Sequence, residues 1–151
     1  MRKKRLSTSP IHKLQDLATK LIAKTFRFLP CVVCLSFNKH NFETVPHHLL
    51  NKGLYGSKRW TMWNLLPLCS EHHTMGTEIV TEAAGGDTGV IKNFRAWLKN
   101  TLPEHYNWYV INRDVRAPHK LTLGDMGEIC SGLQYYADHP GEAQILIYEK
   151  K

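Results

Sequence analysis

Four residues of this 151-residue chain have the types and the spacing to hold a soft metal ion: Cys31 and Cys34 form Cys-x-x-Cys, and Cys69 opens Cys-x-x-His with His72. Each half-site lets a short turn present both ligands to one tetrahedral ion, and three thiolates with one imidazole select zinc over magnesium or calcium. Such a site is closed and structural, because four protein ligands leave no position for a reacting water. It would staple the segment between its two halves. The remaining cysteine, Cys130, falls on the apolar face of a predicted helix and reads as a small buried hydrophobe.

The stapled segment carries further imidazoles. His47 and His48 are adjacent in VPHHLL, and His73 follows His72 in LCSEHHTMGT. Neighbouring side chains point to opposite faces of a strand and diverge by about 100° on a helix. If His72 faces zinc, His73 must serve something else, and His47 and His48 cannot easily share one job. The staple would gather His47, His48 and His73 in one region.

The elements that must position these residues show in the apolar spacing. Ile11, Leu14, Leu17, Ala18, Leu21, Ile22 and Phe26 recur at helical intervals with lysines between them, and Pro30 ends the run, so residues 11–29 form an amphipathic basic helix. Residues 51–60, NKGLYGSKRW, read as a basic and aromatic loop, and residues 83–89 as a second loop. Val90, Ile91, Phe94, Trp97 and Leu98 mark a helix that stops before Pro103. The β-branched and aromatic runs 106–112, YNWYVIN, and 143–148, AQILIY, read as strands either side of a helix through Met126, Ile129, Cys130, Leu133 and Tyr136. The expected fold is α+β, in three parts: a basic arm and helix (1–30), a zinc-stapled core (31–82) and a helix/strand extension packed on it (83–151).

Charge is unevenly placed. The net charge is +7, and residues 1–28 hold eight basic residues against Asp16 alone, so the rest of the chain is neutral. A cationic segment on a neutral body is the footprint of a protein that meets phosphate, with a solvated tail or a transit peptide as the blander readings. Arg2, Lys3, Lys4 and Arg5, with Lys52, Lys58 and Arg59 in the loop, are the candidate nucleic-acid contacts. There is no run of about 18 apolar residues and no secretory signal, which predicts no membrane span and a soluble protein of the reducing cytoplasm.

The ordered set CxxC, His-His, then Asn64 in WNLLPLC, then CxxHH resembles the HNH, or His-Me finger, endonucleases, which have a ββα-metal motif with an embedded zinc knuckle. The resemblance covers residues 31–80, about a third of the chain. It implies a metal-dependent phosphodiester hydrolase acting on DNA. His48 becomes the general base, His47 and His73 the ligands of a catalytic divalent ion, and Asn64 the residue that orients the base-bearing loop. Where the wider family often has an acid, this chain has His47, as in colicin-type nucleases, and Thr77 stands four residues after His73. Two imidazoles suit manganese, nickel or zinc better than magnesium, although water and phosphate oxygens in the shell keep magnesium among the candidates. The competing expectation is a zinc-stapled module that grips nucleic acid and cuts nothing.

Overall fold

The computed structural model describes residues 9–50, 56–74, 94–115 and 120–148. Pro10 opens helix α1 (Pro10–Phe26), a position where its fixed φ is pre-set and its missing N–H would have no intrahelical partner. Ala18, Leu21, Ile22 and Phe26 form the buried stripe of α1, while Lys20 and Lys24 stay exposed. The helix ends before Pro30, as the spacing predicts.

Cys31 then caps a short helix, α2 (Val32–Ser36). The chain turns back at Asn38, whose φ of 56° is a left-handed conformation that a short polar side chain tolerates. The returning chain closes the knuckle with a Cys31 N–H to Asn41 carbonyl bond of 2.8 Å. The Thr44 hydroxyl lies 2.8 Å from the Phe26 carbonyl and 2.9 Å from that of Leu29, tying the end of α1 to the start of the sheet.

The sheet is one antiparallel pair, β1 (Thr44–His48) with β2 (Leu65–Cys69), in the register His47 opposite Leu66 and His48 opposite Leu65. Two 3₁₀ turns, Gly56–Lys58 and Met62–Asn64, lie in the connection. Leu49 N–H donates to the Asn64 carbonyl at 2.8 Å, which makes the odd-numbered residues of β1 the hydrogen-bonded ones. Pro46 and Pro67, paired with each other, therefore fall where the backbone nitrogen faces outward. Neither outer edge has an N–H to offer there, so the pair resists further strands. All five residues of β2 are buried, and α3 (Ser70–Thr74) follows without a break, giving the order β1, β2, α3.

The rest of the described chain is helical: α4 (Phe94–Thr101), α5 (Pro103–Asn112), α6 (Leu123–Asp138) and α7 (Pro140–Tyr148). The protein is thus α+β, with a two-stranded sheet among helices, but both strands expected in the C-terminal extension are helices. Residues 106–112 lie in α5 and 143–148 in α7. Each of these helices opens on a proline at its first position, and the helical bonding runs across Pro103, from Leu102 N–H to the Leu98 carbonyl and from Tyr106 N–H to that of Leu102. In α7 the buried Ala143 and Ile147 stand four apart on one face. Strand propensity describes how well a residue fits a pleated surface, and the proline-marked sheet edges offer these segments none.

Helix α6 behaves as its spacing predicts. A Thr122–Asp125 capping box starts it, with bonds of 3.1 and 2.7 Å, and Met126, Cys130, Leu133 and Ala137 are buried. It packs along α1, where the Cys130 thiol donates to the Leu14 carbonyl at 3.2 Å. So the basic helix is joined to the C-terminal helices and not only to the knuckle. Val90 and Ile91, the 83–89 loop, residues 51–55, Thr77 and the first eight residues lie outside the described parts. Among the described residues no helix is long and apolar enough to cross a membrane.

Candidate metal centre and histidine cluster

The two half-sites meet. Cys31 at the cap of α2, Cys34 within it, Cys69 at the end of β2 and His72 in α3 are all buried, and their ligand atoms lie within 4.8 Å of one another. The Nδ1 of His72 is 3.4 Å from the Cys31 sulfur, 3.6 Å from that of Cys34 and 3.2 Å from that of Cys69, and the Cys34 and Cys69 sulfurs are 3.9 Å apart. A zinc ion about 2.3 Å from sulfur and about 2.05 Å from nitrogen implies tetrahedral edges of about 3.8 Å for S···S and about 3.6 Å for S···N. The four separations lie within about 0.4 Å of these edges and no pair exceeds 4.8 Å, so small side-chain shifts let the cluster hold a zinc-sized tetrahedral ion.

The electrostatics fit a cation as well. Burial raises the Cys31 thiol, and pushes that of Cys34 up to about 12 with help from the neighbouring Cys31 and Cys69. Burial lowers His72, so its imidazole stays neutral, the form that ligates. The Cys31 and Cys34 thiols, which resist ionisation by themselves, become thiolates once a divalent charge sits among them.

The histidines outside this cluster divide by geometry, as adjacent residues on a strand must. His47 turns toward α3, where its ring meets that of His73 edge to face, with centroids 5.6 Å apart at 84°. His48 turns the other way and its Nε2 lies 3.1 Å from the Arg59 carbonyl. That carbonyl can only accept, so Nε2 carries the proton and Nδ1 is the basic nitrogen of the neutral ring. The Nε2 of His47 is buried and has no hydrogen-bond partner among the described residues. Burial, then electrostatic coupling to the neighbouring His73 and His48, lowers His47 to about 4.

Asn64 is fully buried at the end of its 3₁₀ turn. Its Oδ1 accepts from Leu50 N–H at 2.7 Å, and its Nδ2 donates to the Lys58 carbonyl at 3.1 Å and to that of Leu50 at 3.4 Å. One side chain thus fixes both ends of the loop that leaves His48 and returns to β2.

Of the candidate phosphate contacts, Arg2, Lys3, Lys4, Arg5 and Lys52 lie outside the described residues. The Arg59 guanidinium sits 4.9 Å over the Trp60 ring. The Lys58 ammonium donates to the Asn112 carbonyl at 3.1 Å and that of Val115 at 3.3 Å, closing the C-terminus of α5. Nothing in the local sequence around Lys58 reveals that engagement, because its acceptors lie more than fifty positions away. Sequence reasoning also missed His105, which is 1% exposed, packs against Trp63 with centroids 5.0 Å apart, and has an Nε2 with no partner among the described residues. Its only local signal was a histidine inside an aromatic run.

No protein-family model, curated protein or solved structure matches this chain. What fold and site define together is an α+β protein whose sheet and first helices are gathered around a buried Cys₃His cluster fit to hold a structural metal such as zinc.

Proposed function

We propose that this protein is a metal-dependent endonuclease of the HNH, or His-Me finger, type that hydrolyses phosphodiester bonds in DNA. The observation that carries the reading is the divergence of His47 and His48 from adjacent positions of β1, one toward His73 and the other toward the Asn64-clamped loop. A nucleic-acid-binding module needs no such division. Three of the four cysteines serve the cluster and the last lies in the core, which suits the reducing cytoplasm as its place of work.

In this reading His47 and His73 hold a divalent cation. Their centroid separation of 5.6 Å suits two imidazoles converging on one ion, and the buried Nε2 of His47, which has no partner among the described residues, marks an atom suited to a ligand. The cation supplies charge neutralisation at the phosphate and at the departing oxygen. His48 takes the proton of the attacking water on Nδ1 as the water oxygen bonds to phosphorus and the P–O bond to the leaving sugar oxygen breaks. The Arg59 carbonyl holds the tautomer that makes this nitrogen basic. Asn64 acts through the backbone, as a positioning residue. The basic N-terminal residues and Arg59 draw in the phosphate backbone.

The test is cleavage of supercoiled plasmid by purified protein across magnesium, manganese, nickel and zinc. His48→Ala should lower the rate by roughly 10²-fold or more and leave DNA binding intact. His47→Ala or His73→Ala should recover part of its activity at higher metal concentration. If no ion supports cleavage, or His48→Ala cuts as fast as the unaltered chain, the binding-module reading replaces this one.

A further inference from the structure

Away from the histidines, Trp63, Glu104, Tyr135, Tyr136, Glu142 and Leu146 line a cavity of about 290 Å³ between the second 3₁₀ turn and helices α5, α6 and α7. We propose that this cavity binds an organic monocation, an alkylated ammonium or a guanidinium, whose apolar body lies against the aromatic rings and whose charge faces the two carboxylates.

The walls have the right chemistry. Tyr135 and Tyr136 meet at 77° with centroids 5.6 Å apart, so they form a corner of one ring face and one ring edge. Trp63 is held by an edge-to-face contact with the buried His105. Aromatic faces carry the negative end of a quadrupole, which attracts a cation that has given up part of its water.

The charge balance also selects. Glu104 and Glu142 lie in the first turns of α5 and α7, where the helix macrodipole favours an acid. That accounts for each carboxylate alone, but not for their convergence on one aromatic cavity. Two full negative charges against about half a positive charge from each helix terminus leave the cavity net negative by about one unit. Among the described residues neither carboxylate has an ion-pair partner, and no lysine or arginine lines the cavity. An anion is repelled, and a neutral ligand forgoes the carboxylates. The volume sits at the lower end of ligand cavities, which run from about 300 Å³ upward, so it admits a compact head group or a single side chain.

The experiment titrates the whole protein with choline by calorimetry at fixed ionic strength, against the neutral isostere 3,3-dimethylbutan-1-ol, with N-acetylarginine amide as a second arm. One of the two cations should bind saturably with a dissociation constant on the order of millimolar, and the neutral isostere should bind about tenfold more weakly or worse. Which cation binds decides between ammonium and guanidinium. Glu104→Gln and Glu142→Gln, both at exposed positions, should each weaken binding several-fold and together abolish it, with the helical circular dichroism unchanged. The proposal is overturned if neither cation binds by about 50 mM. It is equally overturned if the isostere binds as well as the cation, or if the folded double variant binds like the original chain.

Discussion

Asn64→Ala tests how the loop after His48 is held. The substitution removes the 2.7 Å bond from Leu50 N–H and the 3.1 Å bond to the Lys58 carbonyl, together with the longer contact to the Leu50 carbonyl. Each good bond contributes about 1 kcal/mol net, and the Leu50 amide, on a residue only 3% exposed, loses its partner at a further cost of about 1 kcal/mol or more. The expected loss is therefore about 2–4 kcal/mol, a large fraction of the stability of a chain this size. With a urea slope of about 2 kcal/mol/M, the midpoint should fall by about 1–2 M while the slope stays put. Amide exchange adds the local readout: Leu50 N–H should lose protection beyond the global change. Asn64→Asp sharpens the test, since it keeps the acceptor for Leu50 but turns a buried charge toward the Lys58 carbonyl, and it should cost at least as much as alanine. A loss below about 0.5 kcal/mol for Asn64→Ala, with Leu50 exchange unchanged, would refute the clamp.

Elemental analysis should find about one zinc per chain, and Cys31→Ser or Cys69→Ser, or a strong chelator, should unfold the knuckle, since structural zinc contributes folding energy directly; folded protein without metal would contradict this. His105 predicts an acid sensitivity. Burial lowers it to about 4, so between there and about 6.5 the unfolded chain binds a proton that the folded one does not, and stability drains as pH falls through that window, by up to about 3 kcal/mol. His105→Phe should flatten the curve relative to the original chain at equal metal loading, and parallel curves would count against it. Deleting residues 1–8 removes four positive charges and should weaken binding to all DNA sequences alike, making the slope of log affinity against log salt shallower by up to about 3.6; an unchanged slope would mean that these charges never meet phosphate.

What the sequence determined by itself is the part whose physics is local. The CxxC and CxxH half-sites place ligand pairs by the geometry of a single turn, so four residues named from spacing alone are the four that converge. The stripe of α1 and its end before Pro30, the stripe of α6 and the burial of Cys130 follow from helical periodicity, which needs no partner to be legible. The opposed directions of His47 and His48 follow from the pleat of one strand.

Tertiary structure alone decided the remainder. Residues 106–112 and 143–148 look like strands because aromatic and β-branched side chains suit a pleated surface, yet a strand also needs an edge to pair with. The only described sheet sets Pro46 against Pro67 and offers no N–H at either outer edge there, so the prolines at the starts of α5 and α7 prevail and the segments coil. The meeting of His47 with His73, the reach of Lys58 to the end of α5, and the cavity between Trp63 and the C-terminal helices join residues 26 to 83 positions apart. No local pattern encodes such contacts; they exist because packing the core brings distant segments to the same place.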